Sequence, residues 1–262
     1  MIHDELLSLA RSTAIAAGEL ALRRRTEGVT VAASKSTTVD IVTEADREVE
    51  RFVIDALLAA RPDDGLLGEE GGTAAGSSGL TWIVDPIDGT VNYLYGIPQY
   101  AVSIAVVEGE PEPQHWAALA GCVFNPASGE LFTARAGGGA RLGERELAVN
   151  PDVELGQALV GTGFGYAASV RAEQGRIVAG LLPDVRDIRR LGAASLDLCH
   201  VASGQLDAYY ERGLNPWDHA AGVLIAREAG ALVLGPDGQQ PDHRLVLAAA
   251  PALARALKPR VS

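Results

Sequence analysis

The sequence predicts a mixed α and β protein whose two halves share a cleft. Apolar residues recur at helical spacing near the N terminus, and short buried strands follow from about residue 66. Near residue 150 the strand-rich pattern gives way to alternating helix and strand signals. We therefore expect one compact unit with an N-terminal α+β half over residues 1–150 and a C-terminal α/β half over residues 151–262.

Two helices are predicted in the first sixty residues. The first runs from Asp4, a candidate N-cap, to about Arg25. The second is amphipathic, and the segment from Thr43 to Asp46 is typical of a capping box at its start. Its predicted apolar stripe consists of Val49, Phe52, Val53, Ala56 and Leu57.

Buried strands are predicted from short apolar runs between glycine-rich turns. Gly71–Gly79 reads as a surface loop, and Gly137–Gly139 marks the turns of a hairpin. Residues 193–202 and 217–229 are predicted as helices. The predicted strands are Leu66–Leu67, Trp82–Val84, Tyr100–Val107, Ala117–Phe124, Leu131–Thr133, Ala208–Tyr210 and Ala231–Leu234.

Composition narrows the classes of function. The chain has 262 residues, 47% of them hydrophobic and 21% charged, with a formal net charge of -12. Such a balance disfavours nucleic acid and anionic membrane, which need clustered Lys and Arg. We also expect a cytoplasmic protein, because no signal peptide or apolar span is apparent and Cys122 and Cys199 lack metal-binding spacing. An acidic protein that binds an anionic substrate would need a bound divalent cation.

The segment Trp82–Thr90 carries the most chemical information. An apolar strand leads into Asp85 and Asp88, which lie three residues apart around Pro86. We expect the proline to end the strand ladder and a turn to bring both carboxylates to one side. The alternative is a strand that ends in an ordinary Asp-Gly turn.

Three further acids lie at the ends of predicted elements. Glu69 follows a short predicted strand, Asp46 lies in the first turn of the second predicted helix, and Asp218 lies at a predicted helix start. Each has a simple structural alternative, namely a solvated strand end, a favourable helix-dipole interaction or an N-cap. Taken together, and with no histidine cluster, these acids favour an oxygen-only site for a hard cation such as magnesium.

Spacing argues against two other phosphate chemistries. Haloacid-dehalogenase phosphatases use Asp-x-Asp-Gly-Thr, but Pro86 stands two residues before Asp88. A P-loop requires a lysine after its glycines, and Gly161–Gly165 has none, so we interpret that segment as a flexible turn.

Four segments resemble the inositol monophosphatase family, within the wider group of lithium-sensitive sugar phosphatases. They are Lys35–Asp46, Gly68–Glu70, Trp82–Thr90 and Trp217–Gly222, and they match in order over nearly the whole chain. Leu159–Tyr166 and Val185–Cys199 further resemble actinobacterial inositol-1-phosphatases. The resemblance implies a layered αβαβα sandwich of the inositol monophosphatase and fructose-1,6-bisphosphatase type, assembled as a homodimer.

The same resemblance implies roles for individual residues. Two or three Mg²⁺ ions would be held by carboxylates and one backbone carbonyl, and Lys35 would lie on a loop that closes the metal site. Thr90, Asp46 and Glu69 would be catalytic, with water attacking phosphorus directly. The implied metal ligands are Glu69, Asp85, the Ile87 carbonyl, Asp88 and Asp218, and the implied substrate contacts are Asp88, Gly89, Thr90, Gly192, Ala193, Ala194, Glu211 and Asp218.

The resemblance implies hydrolysis of an inositol monophosphate, a small phosphorylated polyol. Ala193 differs from the threonine of the animal enzymes, which leaves the substrate open. Histidinol phosphate, fructose 1,6-bisphosphate and 3'-phosphoadenosine 5'-phosphate remain alternative substrates. A different class of alternative is an accessory factor of transcription, which predicts eroded metal ligands or a basic face.

Overall fold

Helical and extended segments follow the two sequence periodicities closely. The structure is a computed structural model that describes residues 2–29, 31–34 and 41–262. Lys35 lies outside the described residues. Within them the helices are α1 (Ile2–Glu27), α2 (Glu44–Ala60), α3 (Thr90–Tyr95), α4 (Ala168–Leu181), α5 (Ala194–Ala202), α6 (Pro216–Glu228) and α7 (Pro251–Val261), with short 3₁₀ turns at Leu155–Gln157 and Leu182–Asp184.

Within those ranges, strands form two large sheets and one small hairpin. The hairpin is β1 (Val31–Ser34) with β2 (Ile41–Thr43). The first sheet contains β3 (Gly65–Gly68), β4 (Thr73–Ala74), β5 (Leu80–Asp88), β6 (Ala101–Gly109), β7 (Trp116–Asn125), β8 (Glu130–Arg135), β9 (Ala140–Leu142) and β10 (Arg145–Glu146). The second contains β11 (Leu159–Thr162), β12 (Asp187–Arg189), β13 (Ala208–Glu211), β14 (Leu232–Leu234) and β15 (Val246–Ala249).

Sheet order brings the ends of distant strands together. The eight-stranded sheet has the order β10-β9-β8-β7-β6-β5-β3-β4, and only β3 and β5 pair in parallel. The five-stranded sheet has the order β12-β11-β13-β15-β14, with β11 parallel to both of its neighbours. Its other pairs are antiparallel. The predicted division at residue 150 falls between the two sheets, and as a domain boundary it stays a prediction.

Helices and sheets stack in five layers. Helices α1 and α2 cover one face of the eight-stranded sheet, and α5 and α6 cover its other face. The same α5 and α6 pack against the five-stranded sheet, whose outer face is covered by α4 and α7. The predicted αβαβα sandwich is therefore confirmed. None of the helices in the described ranges is long and apolar enough to cross a membrane.

Period-two burial explains why both sheets are covered on two faces. In β5, Trp82 and Val84 enter the core beneath α1 and α2, whereas Ile83 enters the core beneath α5 and α6. In β13, Tyr209 and Tyr210 likewise enter different cores. These strands are apolar at almost every position because neither face meets solvent.

Three local expectations need correction. Helix α1 begins at Ile2, so Asp4 lies in its first turn and is not the N-cap. Phe52 is exposed, because the buried stripe of α2 runs through Val49, Val53 and Leu57. Strand β5 does not end at Pro86 but continues to Asp88 with a shift of register, since a bulge accommodates the missing proline donor.

The capping box predicted at the start of α2 is confirmed. The Asp46 backbone N–H donates to Thr43 Oγ1 at 3.4 Å, and the Thr43 backbone N–H donates to Asp46 Oδ2 at 2.8 Å. An equivalent box starts α6, where Asn215 is the N-cap and its N–H donates to Asp218 Oδ2 at 2.6 Å. Both acids are thereby held at fixed positions on the first turns of their helices.

Close packing of α5 on α6 depends on Gly222. A Cβ at residue 222 would lie 2.8 Å from Leu198 Cβ and 3.1 Å from the Ser195 carbonyl oxygen. We expect Gly222→Val to lower the free energy of unfolding by about 1–3 kcal/mol through overpacking, measured by urea denaturation. The matched control is Gly180→Val in α4, where an added Cβ meets open space. Equal stability of the two variants would contradict this packing.

Candidate active site and metal centre

Four elements carry acids to the mouth of one cleft. The cleft has a volume of about 460 Å³ and lies between the C-terminal end of β5 and the second sheet. Glu69 follows β3, Asp88 ends β5, Glu211 ends β13 and Asp218 lies in the first turn of α6. The other predicted residues that line it are Gly89, Thr90, Gly192 and Ala194.

Four predicted site residues lie behind the cleft wall. Asp46, Asp85, Ile87 and Ala193 are fully buried and are not part of its lining. Asp85 nevertheless belongs electrostatically to the cluster, because the charges of Glu69, Asp88 and Asp218 all act on it. The structure thus brings together the acids that the sequence analysis selected, as one group that lines the cleft and one group behind its wall.

Burial and mutual repulsion raise the pKa of these carboxyls. The pKa of Asp85 and that of Asp218 lie well above the usual range, first through burial and then through neighbouring carboxylates. Burial raises the pKa of Asp88 to about 7, although hydrogen bonds from Ser195 oppose that change. Like charges crowded in a poorly solvated site disfavour one another's ionisation. A cation between them would relieve that repulsion.

Asp85 and Asp88 also accept hydrogen bonds that fix the directions of their carboxylates. The Ile87 N–H donates to Asp85 Oδ1 at 3.1 Å. The Ser195 N–H and hydroxyl donate to Asp88 Oδ2 at 2.7 and 2.5 Å, and the Ala194 N–H donates to Oδ1 at 3.2 Å. Carboxylate oxygens have two lone pairs each, so these bonds leave acceptor capacity for a ligand.

The donor set fits a hard divalent cation. Its members are carboxylate oxygens and the Ile87 carbonyl, the ligand types that magnesium and calcium prefer. Across residues 2–29, 31–34 and 41–262, no three Asp, Glu, His or Cys side chains are already gathered as a preformed cage. Binding would therefore require small rotations of side chains whose backbones are already in place.

Thr90 and Asp46 form a second, buried pair beside the acids. Thr90 Oγ1 lies 3.1 Å from Asp46 Oδ1 and 3.1 Å from the Ile87 carbonyl, so its hydroxyl can donate to either. The Thr43 hydroxyl and N–H donate to the other oxygen of Asp46, Oδ2. Burial raises the pKa of Asp46 to about 6. This carboxyl can therefore gain and lose a proton near neutral pH.

Gly89 allows the two halves to meet at the cleft. Its φ of +92° is in the left-handed region, and a Cβ there would lie 2.9 Å from the Gln99 carbonyl and 3.2 Å from the Gly192 carbonyl. A side chain at residue 89 would push α3 away from the segment before α5. The Asp88-Gly89 turn is thus also a contact between the two sheets' loops.

Comparison with known proteins gives the family. The sequence model described as the inositol monophosphatase family matches residues 2–261. The chain belongs to the inositol monophosphatase family. It is therefore a phosphatase, and the resemblance stated from the sequence is confirmed. Members of this family are generally metal-dependent.

Three similar proteins carry three different names. An inositol-1-monophosphatase of Mycobacterium leprae is 44% identical over 275 residues, covering 97% of this chain and 92% of that protein. A Nus factor SuhB of Xylella fastidiosa is 41% identical, covering 87% of this chain and 82% of that protein. The crystal structure of extragenic suppressor protein suhB from Bartonella henselae has a TM-score of 0.90, 33% identity and 98% coverage of both chains.

Sequence reasoning missed several residues of this site. Ser195 binds Asp88 from 107 residues away, which no local pattern indicates. Tyr209, Gly163 and Gln174 contact Glu211 or the turn beside it. Only Tyr209 had a usable signal, because residues 209 and 211 of a strand share one face.

The raised carboxyl pKa values predict a pH-dependent stability of the metal-free protein. Burial raises the pKa of Asp88 and of Glu211 to about 7, so the folded state holds protons that the unfolded state releases near pH 4. The stabilisation of the folded state by these protonated carboxyls is fully present at low pH and is lost as the pH rises to about 7. His219 acts in the opposite direction, since burial lowers its pKa to about 4, but it is one group against several.

We therefore expect the Tm of chelator-treated protein to fall between about pH 5 and pH 7.5, by roughly 2–4 °C for each kcal/mol lost. Saturating Mg²⁺ should raise Tm most at the higher pH, because it binds the ionised carboxylates. Scanning calorimetry measures both effects. A Tm that stays level or rises with pH in the chelated protein would contradict the cluster's electrostatics.

Proposed function

We propose that this protein is a magnesium-dependent phosphatase that hydrolyses inositol monophosphate to inositol and phosphate. The observation that carries the proposal is the cluster of four acids at one cleft, next to a hydrogen-bonded Thr90–Asp46 pair. Several similar proteins carry the name inositol-1-monophosphatase, including the Mycobacterium leprae protein described above. The family membership of the chain supports the phosphatase class, and the cluster supports the metal.

Two or three Mg²⁺ ions would be held by Glu69, Asp85, Asp88, Asp218 and the Ile87 carbonyl. Bound there, they would activate water, neutralise the phosphate and stabilise the leaving alkoxide. Their charge would also explain how a protein of net charge -12 binds an anion. The Gly89 and Thr90 backbones line the cleft, so their N–H groups are candidates to contact phosphate.

The chain supplies a route for the proton that leaves the attacking water. Thr90 lies in the cleft lining, so its hydroxyl oxygen can accept a hydrogen bond there while its own proton points to Asp46 Oδ1. Thr43 occupies the opposite oxygen of Asp46 and fixes the orientation of the carboxylate. Of the described residues that line the cleft, none is Ser, Cys or His, which favours direct attack by water over a covalent intermediate.

The polyol would contact the wall opposite the proposed metal ligands. Glu211 ends β13 in that wall and can accept hydrogen bonds from ring hydroxyls, while Gly192 and Ala194 present backbone at the start of α5. Glu69 and Thr90 both line the cleft, which suits the catalytic role proposed for Glu69. A homodimer and lithium sensitivity remain predictions from the resemblance, and a cytoplasmic location remains a prediction from the sequence composition and the two cysteines.

A role as an accessory factor of transcription is a second candidate. The name of the Xylella fastidiosa relative favours it. The acidic composition and the retained acid cluster favour the enzyme as the main role. Affinity capture with purified RNA polymerase separates the candidates, because a phosphatase without this second role would not be retained.

Replacement of one proposed metal ligand tests the metal assignment. We expect Asp88→Asn to reduce turnover to less than a few per cent, because an amide lacks the charge that a magnesium ligand supplies. The amide oxygen can still accept from Ser195, so the fold should persist, as circular dichroism would show. Chelation should abolish the activity of the wild type, and added Mg²⁺ should restore that activity. The matched control is the exposed Asp152→Asn, and high activity of Asp88→Asn would refute the assignment.

Replacement of Thr90 tests the proton route. Thr90→Ala should lower kcat roughly a hundredfold, since a positioned proton acceptor contributes about that much. A purely capping role for Thr90 would cost about 1 kcal/mol of stability and leave kcat nearly unchanged. Steady-state kinetics at saturating Mg²⁺ distinguish these results. Thr90→Ser keeps the hydroxyl and should retain most of the activity, so equal losses in both variants would argue against the route.

A further inference from the structure

The glycine-rich turn after β11 is the motif that the proposed mechanism leaves unused. It follows Thr162, and Gly163, Phe164 and Gly165 all line the cleft on the side of Glu211. The segment resembles no phosphate-binding loop in its residues, and its neighbours are the end of β13 and helix α4. The turn therefore contacts residues on the polyol side of the cleft.

Tyr209 holds the carboxylate of Glu211. The two residues share one face of β13, and the Tyr209 hydroxyl donates to Glu211 Oε2 at 2.5 Å. Tyr209 is completely buried in the core between α5, α6 and the second sheet. Because its ring cannot move without disturbing that core, the hydroxyl is a fixed donor. Oε1 of Glu211 is left to accept a hydrogen bond from a ligand.

Gly163 leaves the space that the Glu211 carboxylate occupies. A Cβ at residue 163 would overlap all three atoms of that carboxylate group. The backbone of Gly163 is outside the left-handed region, so an alanine can adopt its conformation. What would have to move is the end of the Glu211 side chain, and not a piece of backbone.

Gln174 ties the turn to the same strand end. Its side-chain oxygen accepts from the Gly165 N–H at 2.9 Å, and its amide nitrogen donates to the Arg212 carbonyl at 3.0 Å. Gln174 is buried in α4, and Arg212 directly follows Glu211. The turn and the end of β13 are therefore held at a constant separation.

We propose that Tyr209 is a positioning residue and Gly163 a specificity-determining residue, which together fix Glu211 as a rigid acceptor for the hydroxyl groups of a polyol phosphate. The inference rests on the proposed function and names the residues that give that site its selectivity. A fixed acceptor favours binding of a ligand whose hydroxyl matches its position, because the carboxylate does not have to be ordered on binding. A phosphate ester without hydroxyls gains nothing from it.

The test compares two substrates on the Mg²⁺-loaded protein. Inositol 1-phosphate presents ring hydroxyls, and p-nitrophenyl phosphate presents none. We expect Tyr209→Phe and Gly163→Ala each to lower the ratio of kcat/KM for the two substrates about tenfold, the effect of one misplaced charge-assisted hydrogen bond. KM for inositol 1-phosphate should rise while kcat stays nearly constant, because the variants change binding and not chemistry.

Matched controls separate positioning from general damage. Tyr210→Phe removes the neighbouring buried hydroxyl, which faces the other core of the sheet. Gly175→Ala adds a Cβ in α4 where no atom lies within 4 Å. Both controls should keep the wild-type ratio. A fall in the ratio in the controls as large as in the test variants would overturn the proposal.

A spectroscopic readout judges the proposal independently of substrate. Burial raises the pKa of Glu211, Asp197 and Asp88 raise it further, and Tyr209 and Arg190 lower it. Loss of the Tyr209 donor in Tyr209→Phe should therefore raise the pKa of Glu211. This pKa can be measured by NMR of ¹³C-labelled glutamate, with Glu211→Gln used to assign the signal. An unchanged pKa overturns the proposal, as does an unchanged substrate ratio. If the wild type shows no preference for inositol 1-phosphate, the proposed substrate fails, and a raised pKa would still support the positioning role.

Discussion

Repulsion among buried carboxylates is the constraint on which the rest of the site depends. Burial and neighbouring charges raise the pKa of Asp85 and Asp218 well above the usual range, and Asp88 follows them to about 7. Such a cluster weakens the fold unless protons or cations compensate it. The five-layer fold tolerates the cluster because the acids sit on element ends whose backbones are fixed by caps, a bulge and helix packing.

The fold holds the acids at rigid positions around one shared cleft. The bulge after Asp85 turns the end of β5 toward α5, whose first N–H groups bind Asp88. Helix α6 brings Asp218 from the opposite half, and Gly89 lets the two loops touch. The acids come from separated parts of the chain, yet each lies on a helix or strand or, in the case of Glu69, directly after a strand. Such placement suits a site that needs stable geometry.

Periodicity predicted the layers because each strand and helix has faces with a clear apolar pattern, as Trp82 and Ile83 show by entering different cores. The capping box of Asp46 was also predictable, since it is local. The pairing of Ser195 with Asp88, and the fit of Gly163 against Glu211, could not be predicted, because both depend on how distant segments meet. Pro86 was expected to end the strand, but a bulge between Asp85 and Asp88 lets β5 continue past it.

The proposed function requires that the acids at the end of β5 bind divalent cations. The most direct measurement is anomalous diffraction from crystals of the protein soaked in Mn²⁺, an ion that shares the oxygen ligands of magnesium. We expect anomalous peaks within coordination distance of the Asp85, Asp88 and Asp218 carboxylates. Well-ordered acids with no anomalous peak between them, at Mn²⁺ concentrations that support activity, would contradict it.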